Sequence, residues 1–268
     1  MLLNYFSYII LSIVQGLTEF LPISSSAHII IFSKILNIIK NDNLQTFKII
    51  IQLGSTLAII IFFWKKLKKI IFNTIKYNFF YYKKINLLHM VVSVLPVVVI
   101  GLIFYDKIKI INNIQFIIFG LFFGGILLFF SEKFKPKKYT INSMNDISFI
   151  NIFLIGCFQC LALLPGISRL GSTLSISLLI GIKRIIATEL CFIISIPVIF
   201  GANLLEIYKN YSVINFNNIK IFFIGFFISF IISFIFIKKF IYIINNISLQ
   251  WFTLYRLFII ILLLLIFN

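Results

Sequence analysis

Gln15-Gly16-Leu17-Thr18-Glu19-Phe20-Leu21-Pro22-Ile23-Ser24-Ser25-Ser26-Ala27-His28 is a polar island between two apolar arms, residues 5–14 and 29–35. Neither arm exceeds ten residues, whereas a helix that crosses a bilayer needs ~20. A carboxylate, an amide, three serines, a proline and a histidine are accepted at membrane depth only where they face a cavity or other protein groups. The stretch therefore predicts a broken helical segment with a functional site at the break. The rest of the chain is expected to build the cavity around it.

Composition places the chain in the same setting. Of 268 residues, 61% are hydrophobic and 12% charged, and the mean hydropathy is +1.12. Soluble domains carry about a quarter charged residues, so the expected class is an all-α polytopic membrane protein, with residues 1–268 forming one membrane domain. The apolar runs are continuous rather than alternating, which excludes a β-barrel. A net charge of +17 invites a nucleic-acid partner. The lysines lie in short loops between apolar runs, as in membrane proteins with a positive inside, and no aromatic-basic surface or zinc spacing accompanies them. Nucleic acid is not an expected partner; membrane lipid is. Cys157 and Cys160 form a C-x-x-C inside an apolar segment, and with Cys191 they read as small buried thiols. The first lysine is Lys34, so a cleaved signal peptide is not expected.

Six full spans are predicted, over 47–64, 87–105, 114–130, 185–205, 219–237 and 251–267. Between the third and fourth, the opening pattern recurs. An arm over 149–160 leads to Leu164-Pro165-Gly166-Ile167-Ser168-Arg169-Leu170-Gly171-Ser172-Thr173, and a second arm runs to Ile182. Gln15-x-Leu17 followed by Leu21-Pro22 and serines is matched by Gln159-x-Leu161, then Leu164-Pro165 and Ser168, with the prolines 143 residues apart. Paired interruptions in corresponding halves point to an inverted repeat, here 1–130 and 148–268, with a site at its midplane interface. If both interruptions are re-entrant helix-turn-helix hairpins, one side of the membrane receives fifteen basic residues. These lie in the loops 65–86 and 131–147, at Lys183 and Arg184, and at Lys238 and Lys239. The other side receives seven, and Arg169 and Arg256 lie within apolar segments. The richer side is the cytoplasm. The first hairpin then enters from outside and the second from inside, as an inverted repeat requires.

Only Glu19 and Glu189 among the acidic residues fall within membrane segments. Gln15 and Glu19 share a helix face, being four apart. Two oxygens with one charge hold Mg²⁺ or Ca²⁺ only where phosphate completes the shell. Arg169 is a cation that cannot be neutralised and costs at least ~2.5–3.5 kcal/mol to insert. It is surrounded by Ser168, Ser172, Thr173 and glycines where a helix begins, a phosphate- or carboxylate-binding arrangement. An Arg169–Glu19 ion pair locking the two hairpins is the competing reading. Ser24, Ser25, Ser26 and His28 supply hydroxyls and a base, with no aspartate to complete a serine-protease triad. Together these residues suit phosphoryl transfer, where positioning and charge neutralisation dominate. A carrier that moves a lipid phosphate across the membrane would use the same groups. His89, at the head of a span, reads as interfacial.

The motifs Gln15-Gly-Leu-Thr-Glu19-Phe-Leu-Pro22-x-Ser-Ser-x-x-His28 and Pro165-Gly-x-Ser168-Arg169-x-Gly-x-Thr173 resemble the undecaprenyl-diphosphatase family of bacteria, the bacitracin-resistance type. The resemblance extends through Gln52-Leu-Gly-Ser55, 156–162 and Tyr255-Arg256. It implies an inner-membrane enzyme that hydrolyses undecaprenyl diphosphate to undecaprenyl phosphate and inorganic phosphate, recycling the cell-wall lipid carrier, with a site open to the periplasm. Position by position, it implies Gln15 and Glu19 as ligands of a divalent metal (Mg²⁺ or Ca²⁺), Ser25 as nucleophile and His28 as acid/base. Arg169, with Ser168, Thr173, Gly166, Ser24 and Gln52, would bind the diphosphate. The partner implied is a polyprenyl diphosphate lipid, and the resemblance leaves room for a homodimer. Three departures stand out: Gln15 removes one metal-binding charge, Leu170 replaces a serine usual in the second motif, and Ala27 stands where glycine is common.

Overall fold

The computed structural model describes residues 2–38, 42–77, 84–110, 113–209 and 216–267. Among them the chain is helical, with a single isolated bridge between Ile141 and Ile182. In chain order the helices are α1 (Leu2–Thr18), α2 (Ser25–Ile35), α3 (Asp42–Phe62), α4 (Trp64–Tyr77), α5 (Leu87–Ile103), α6 (Tyr105–Ile110), α7 (Ile114–Phe134), α8 (Phe149–Gln159), α9 (Arg169–Leu179), α10 (Arg184–Lys209), α11 (Phe216–Asn246) and α12 (Leu249–Phe267). Lys40 and Lys83, counted in the charge balance, lie outside the described residues.

The break in the opening island is narrower than expected. α1 runs through Thr18, whose hydroxyl donates to the Val14 carbonyl at 2.7 Å, and α2 resumes at Ser25, so only 19–24 leave the helix. Pro22 has no N–H to continue the ladder, and Ser24 turns to a positive φ of 72°. In the second interruption α8 ends at Gln159, a short 3₁₀ turn covers Cys160–Leu163, and α9 begins at Arg169. There Gly166 takes φ 91°, where a Cβ would also run into the backbone of α7 at Ile117.

Among the described residues five helices are long and apolar enough to cross a membrane, 44–62, 114–134, 184–209, 219–246 and 249–267, which makes this a multi-pass membrane protein. The span expected at 87–105 is α5, shortened to 17 residues because the chain caps at Phe104 and restarts as α6. Seventeen residues rise about 26 Å, just under the ~30 Å hydrocarbon core. α11 continues past the predicted end at 237 to Asn246 and carries Lys238 and Lys239 within it. The supposed basic loop 65–86 is for its first half a helix. Leu67, Ile70, Asn73 and Thr74 recur at helical spacing and turn inward, while Lys65, Lys68, Lys69 and Lys76 stay exposed; the lysine run hid an amphipathic period. His89 is buried rather than interfacial: it caps α5 with Asn86 and stacks on Phe149 at 4.1 Å.

Packing partners come in mirrored pairs. α1 and α3 pack on α11, while α8 and α10 pack on α5; α3 meets α10, and α7 meets α12. Small residues permit the close crossings. A Cβ on Gly156 would lie 2.6 Å from the Ser93 carbonyl oxygen, where α8 crosses α5. The second hairpin begins and ends at the same end of the bundle: Thr140 N–H donates to Gly181 O, and Lys183 N–H to Ile141 O.

That end is fastened by a half-buried charge cluster. Arg184 pairs with Glu132, which also accepts from Lys135 at 2.6 Å and from the Leu249 N–H at 3.3 Å; a second Arg184 nitrogen donates to the Ile247 carbonyl at 2.9 Å. Losing Arg184 takes one of two cationic partners from Glu132, which keeps Lys135 and the Leu249 N–H, and removes the donor to the Ile247 carbonyl. Arg184→Ala is therefore expected to cost about 1.5–3 kcal/mol, the range for hydrogen bonds to charged groups. Thermal melting of purified protein in detergent should show the loss.

Candidate functional site

The tips of the two hairpins meet around a cavity of about 210 Å³. The first hairpin lines it with Glu19, Phe20, Ser24, Ser25 and Ser26; the second with Ala162, Leu164, Pro165, Ile167, Ser168, Arg169 and Leu170. Gln52 and Ile59 of α3 and Cys191, Phe192, Ser195 and Ile199 of α10 close the sides. Residues separated by up to 180 positions in the chain therefore share one chamber, and the two helices that flank it are themselves a mirrored pair.

Glu19 organises its polar wall. Oε2 accepts from the Ser25 hydroxyl at 2.7 Å and from Gln15 Nε2 at 2.9 Å, and Oε1 accepts from Gln52 Nε2 at 3.1 Å. Ser25 is thus poised with its proton directed at a carboxylate. It can present its oxygen to an electrophile in the cavity because the break at 19–24 folds the first turn of α2 back beside the end of α1. The preceding residue, Ser24, holds φ 72° and ψ 94°, a conformation that costs a residue with a side chain on the order of 1–3 kcal/mol unless its surroundings enforce it.

Arg169 faces Glu19 from the other hairpin. No ion pair joins them, although Glu19's charge acts on the guanidinium. One guanidinium nitrogen, Nη1, is buried without a hydrogen-bond partner. The Arg169–Glu19 lock between the hairpins is therefore not made; the two charges stand apart across the cavity. A cation with an open, buried donor is a strong site for a phosphate or carboxylate oxygen. Ser168 caps α9, accepting from Gly171 N–H at 3.2 Å, and the first N–H groups of a helix add to the attraction for an anion.

Not every expected residue reaches the cavity. Gln15 is buried behind Glu19 and acts through it. Thr173 donates its hydroxyl to the Arg169 carbonyl at 2.9 Å, one turn back, and is 1% exposed; it braces α9 and does not line the chamber. Gly166 is absent from the lining as well, and lets the turn lie against α7. His28 departs most from expectation. Its ring is buried and turned from Ser25, with Nδ1 at 2.8 Å from the Ser24 carbonyl and Nε2 at 2.7 Å from the Tyr255 hydroxyl.

Tyr255 and Arg256 were the residues without an expected role. Arg256 is 1% exposed, among the largest wholly buried side chains, and donates from Nε to the Pro22 carbonyl at 2.9 Å. The signal was present: an arginine in the middle of an apolar span marks a functional or structural centre by default.

Residues 8–262 match the family described as bacitracin resistance protein BacA. The undecaprenyl-diphosphatase of Buchnera aphidicola subsp. Schizaphis graminum is 45% identical over 248 residues, covering 92% of each chain. That of Buchnera aphidicola subsp. Acyrthosiphon pisum (strain Tuc7) is 45% identical over 250 residues, again 92% of each. The chain belongs to the bacitracin resistance protein BacA family.

Proposed function

We propose that this protein hydrolyses undecaprenyl diphosphate to undecaprenyl phosphate and inorganic phosphate. The observation that carries the reading is a serine hydroxyl bonded to a carboxylate on one hairpin, facing on the other a half-buried guanidinium whose buried Nη1 has no hydrogen-bond partner. The diphosphate would bind Arg169 and Ser168, placing its terminal phosphorus near Ser25. Ser25 Oγ attacks that phosphorus as its proton passes to Glu19. The bond to the bridging oxygen breaks, and undecaprenyl phosphate leaves with that oxygen. Glu19 passes the serine proton on to the departing phosphate or to solvent. Water then attacks the phosphoserine, Glu19 taking its proton and returning it to Ser25 Oγ as the Oγ–phosphorus bond breaks and inorganic phosphate departs. Direct attack by a water held on Glu19 is the alternative route to the same products.

Three or more His, Cys, Asp or Glu side chains do not gather anywhere among the described residues. A divalent cation would be held by Glu19, with the rest of its shell from phosphate and water; Gln15 and Gln52 point their Nε2 groups at that carboxylate and would steady it rather than ligate unless their amides turned over. An oxygen-only donor set with one carboxylate suits Mg²⁺ better than Ca²⁺, which takes more protein ligands. Such a cation, when bound, supplies neutralisation of the phosphate charge.

The membrane arrangement proposed is six spans, with α5 as the short sixth, and two re-entrant hairpins in an inverted repeat. The mirrored packing and the second hairpin's return to its own end support it. With the basic end in the cytoplasm, the first hairpin enters from outside and the chamber opens to the periplasm of an inner membrane. Relatives named for a phosphatase leave the lipid-carrier alternative without an observation of its own.

Purified protein with Mg²⁺ is expected to release inorganic phosphate from a polyprenyl diphosphate in detergent micelles, and to stop when EDTA is added. Absence of phosphate release at any Mg²⁺ or Ca²⁺ concentration would sink the phosphatase reading.

A further inference from the structure

His28 holds the reacting loop in shape, and the atoms show how. Ser24, the residue before Ser25, sits at φ 72°, a region that favours glycine and that a serine keeps only where its neighbours fix it. Its carbonyl lies 2.8 Å from His28 Nδ1. A carbonyl oxygen only accepts, so Nδ1 carries the proton. In the neutral ring Nε2 then has the lone pair, and it accepts from the Tyr255 hydroxyl at 2.7 Å. The rings of His28 and Tyr255 lie within 5° of parallel, which leaves the imidazole little freedom to turn. Both nitrogens are engaged, and His28 does not line the cavity that Ser25, Glu19 and Arg169 share.

The next residue of α12 acts on the other side of the same turn: Arg256 Nε donates to the Pro22 carbonyl at 2.9 Å. Two adjacent residues of the last helix thus govern the two carbonyls flanking Ile23, Arg256 directly and Tyr255 through His28. Ser25 follows immediately, and its hydroxyl meets Glu19 at 2.7 Å. The Ser24 carbonyl also accepts the longer His28 backbone N–H at 3.4 Å, so loss of the shorter Nδ1 bond would loosen Ser24 without releasing it and let Ser25 drift from Glu19.

We propose that His28 and Tyr255 are positioning residues: the Tyr255 hydroxyl fixes the His28 ring so that Nδ1–H holds the Ser24 carbonyl and aims Ser25 at Glu19. His28 exchanges no proton with the substrate. This rests on the phosphatase reading and refines its site.

Asparagine and glutamine separate positioning from proton transfer, because neither titrates. The Asn amide places an N–H near the site of Nδ1; the Gln amide places one near Nε2. His28→Asn is expected to keep kcat within about tenfold of wild type, and His28→Gln to lose about 10²-fold, with KM for the diphosphate little changed in both because Arg169 is untouched. Equal losses in the two variants, or equal retention, would overturn the proposal. Thermal melting establishes that both fold. Tyr255→Phe supplies an independent arm, since it keeps the ring and removes only the hydroxyl. A five- to tenfold lower kcat at unchanged KM is expected, on the order of one neutral hydrogen bond, and an unaltered kcat would remove Tyr255 from the relay. Wild type that releases no phosphate would defeat the phosphatase reading itself, whereas active wild type with indistinguishable His28 variants would defeat only the positioning role.

Discussion

Glu19→Gln is expected to lower phosphate release by about 10²–10⁴-fold, the range over which a positioned general base contributes, while the protein folds normally. Glu19 is the shared acceptor for Ser25, Gln15 and Gln52. An amide in its place keeps the shape and still offers one oxygen, but it brings an NH₂ against two side chains that already present N–H groups. It also removes the charge that takes the serine proton and that would bind a cation. The loss should fall on kcat, measured as steady-state phosphate release against substrate in mixed micelles. A Glu19→Gln rate within tenfold of wild type would remove Glu19 from the chemistry. Ser25→Ala then divides the two routes. If serine attacks, its loss matches that of Glu19→Gln; if water attacks, Ser25→Ala stays active while Glu19→Gln does not.

Arg169→Ala is expected to reduce kcat/KM by about 10²–10³-fold, comparable to deleting a donor to developing charge in a sheltered site, without destabilising the protein. The second half of that expectation follows from the unsatisfied nitrogen. A guanidinium whose Nη1 is buried without a partner, and which forms no ion pair with Glu19, is a cost to the folded state that the diphosphate relieves. Replacing it relieves the cost permanently, as happens when strained functional sites are neutralised. Arg169→Lys should recover only part of the activity, because an ammonium supplies the charge without the planar fork that meets two phosphate oxygens at once. Melting temperature and phosphate release measured on the same preparations decide the matter. A several-degree fall in melting temperature for Arg169→Ala would make the residue structural instead.

Much of this was legible in the chain. Continuous apolar runs and scattered lysines specify a helical membrane protein because a bilayer leaves backbone groups few ways to be satisfied. The paired Leu-Pro interruptions located both hairpin tips because there proline stands beside serines and glycine that favour a turn, whereas Pro96 and Pro197 are carried inside α5 and α10. Glu19, Ser25 and Arg169 were legible for the same reason: polar groups at membrane depth are too costly to be incidental. Element ends were less so. α4 was hidden because lysines on its exposed face mask the inward spacing of Leu67 and Ile70, and α5 came out short because a cap at Phe104 is a local backbone event with little compositional mark.

What the sequence by itself determined is the class of protein, the two breaks and the residue types that a phosphate-handling site needs. Which of those residues face one another was decided only by the tertiary structure. Spacing along a helix places Gln15 beside Glu19, but no local rule brings Arg169 across from Glu19, Gln52 to its carboxylate, or Tyr255 to His28, 227 positions away. Those meetings depend on how α3, α7, α10 and α12 pack around the two hairpins. Packing also decided that the His28 ring turns toward Tyr255, so that the island's one histidine steadies the serine without facing the chamber.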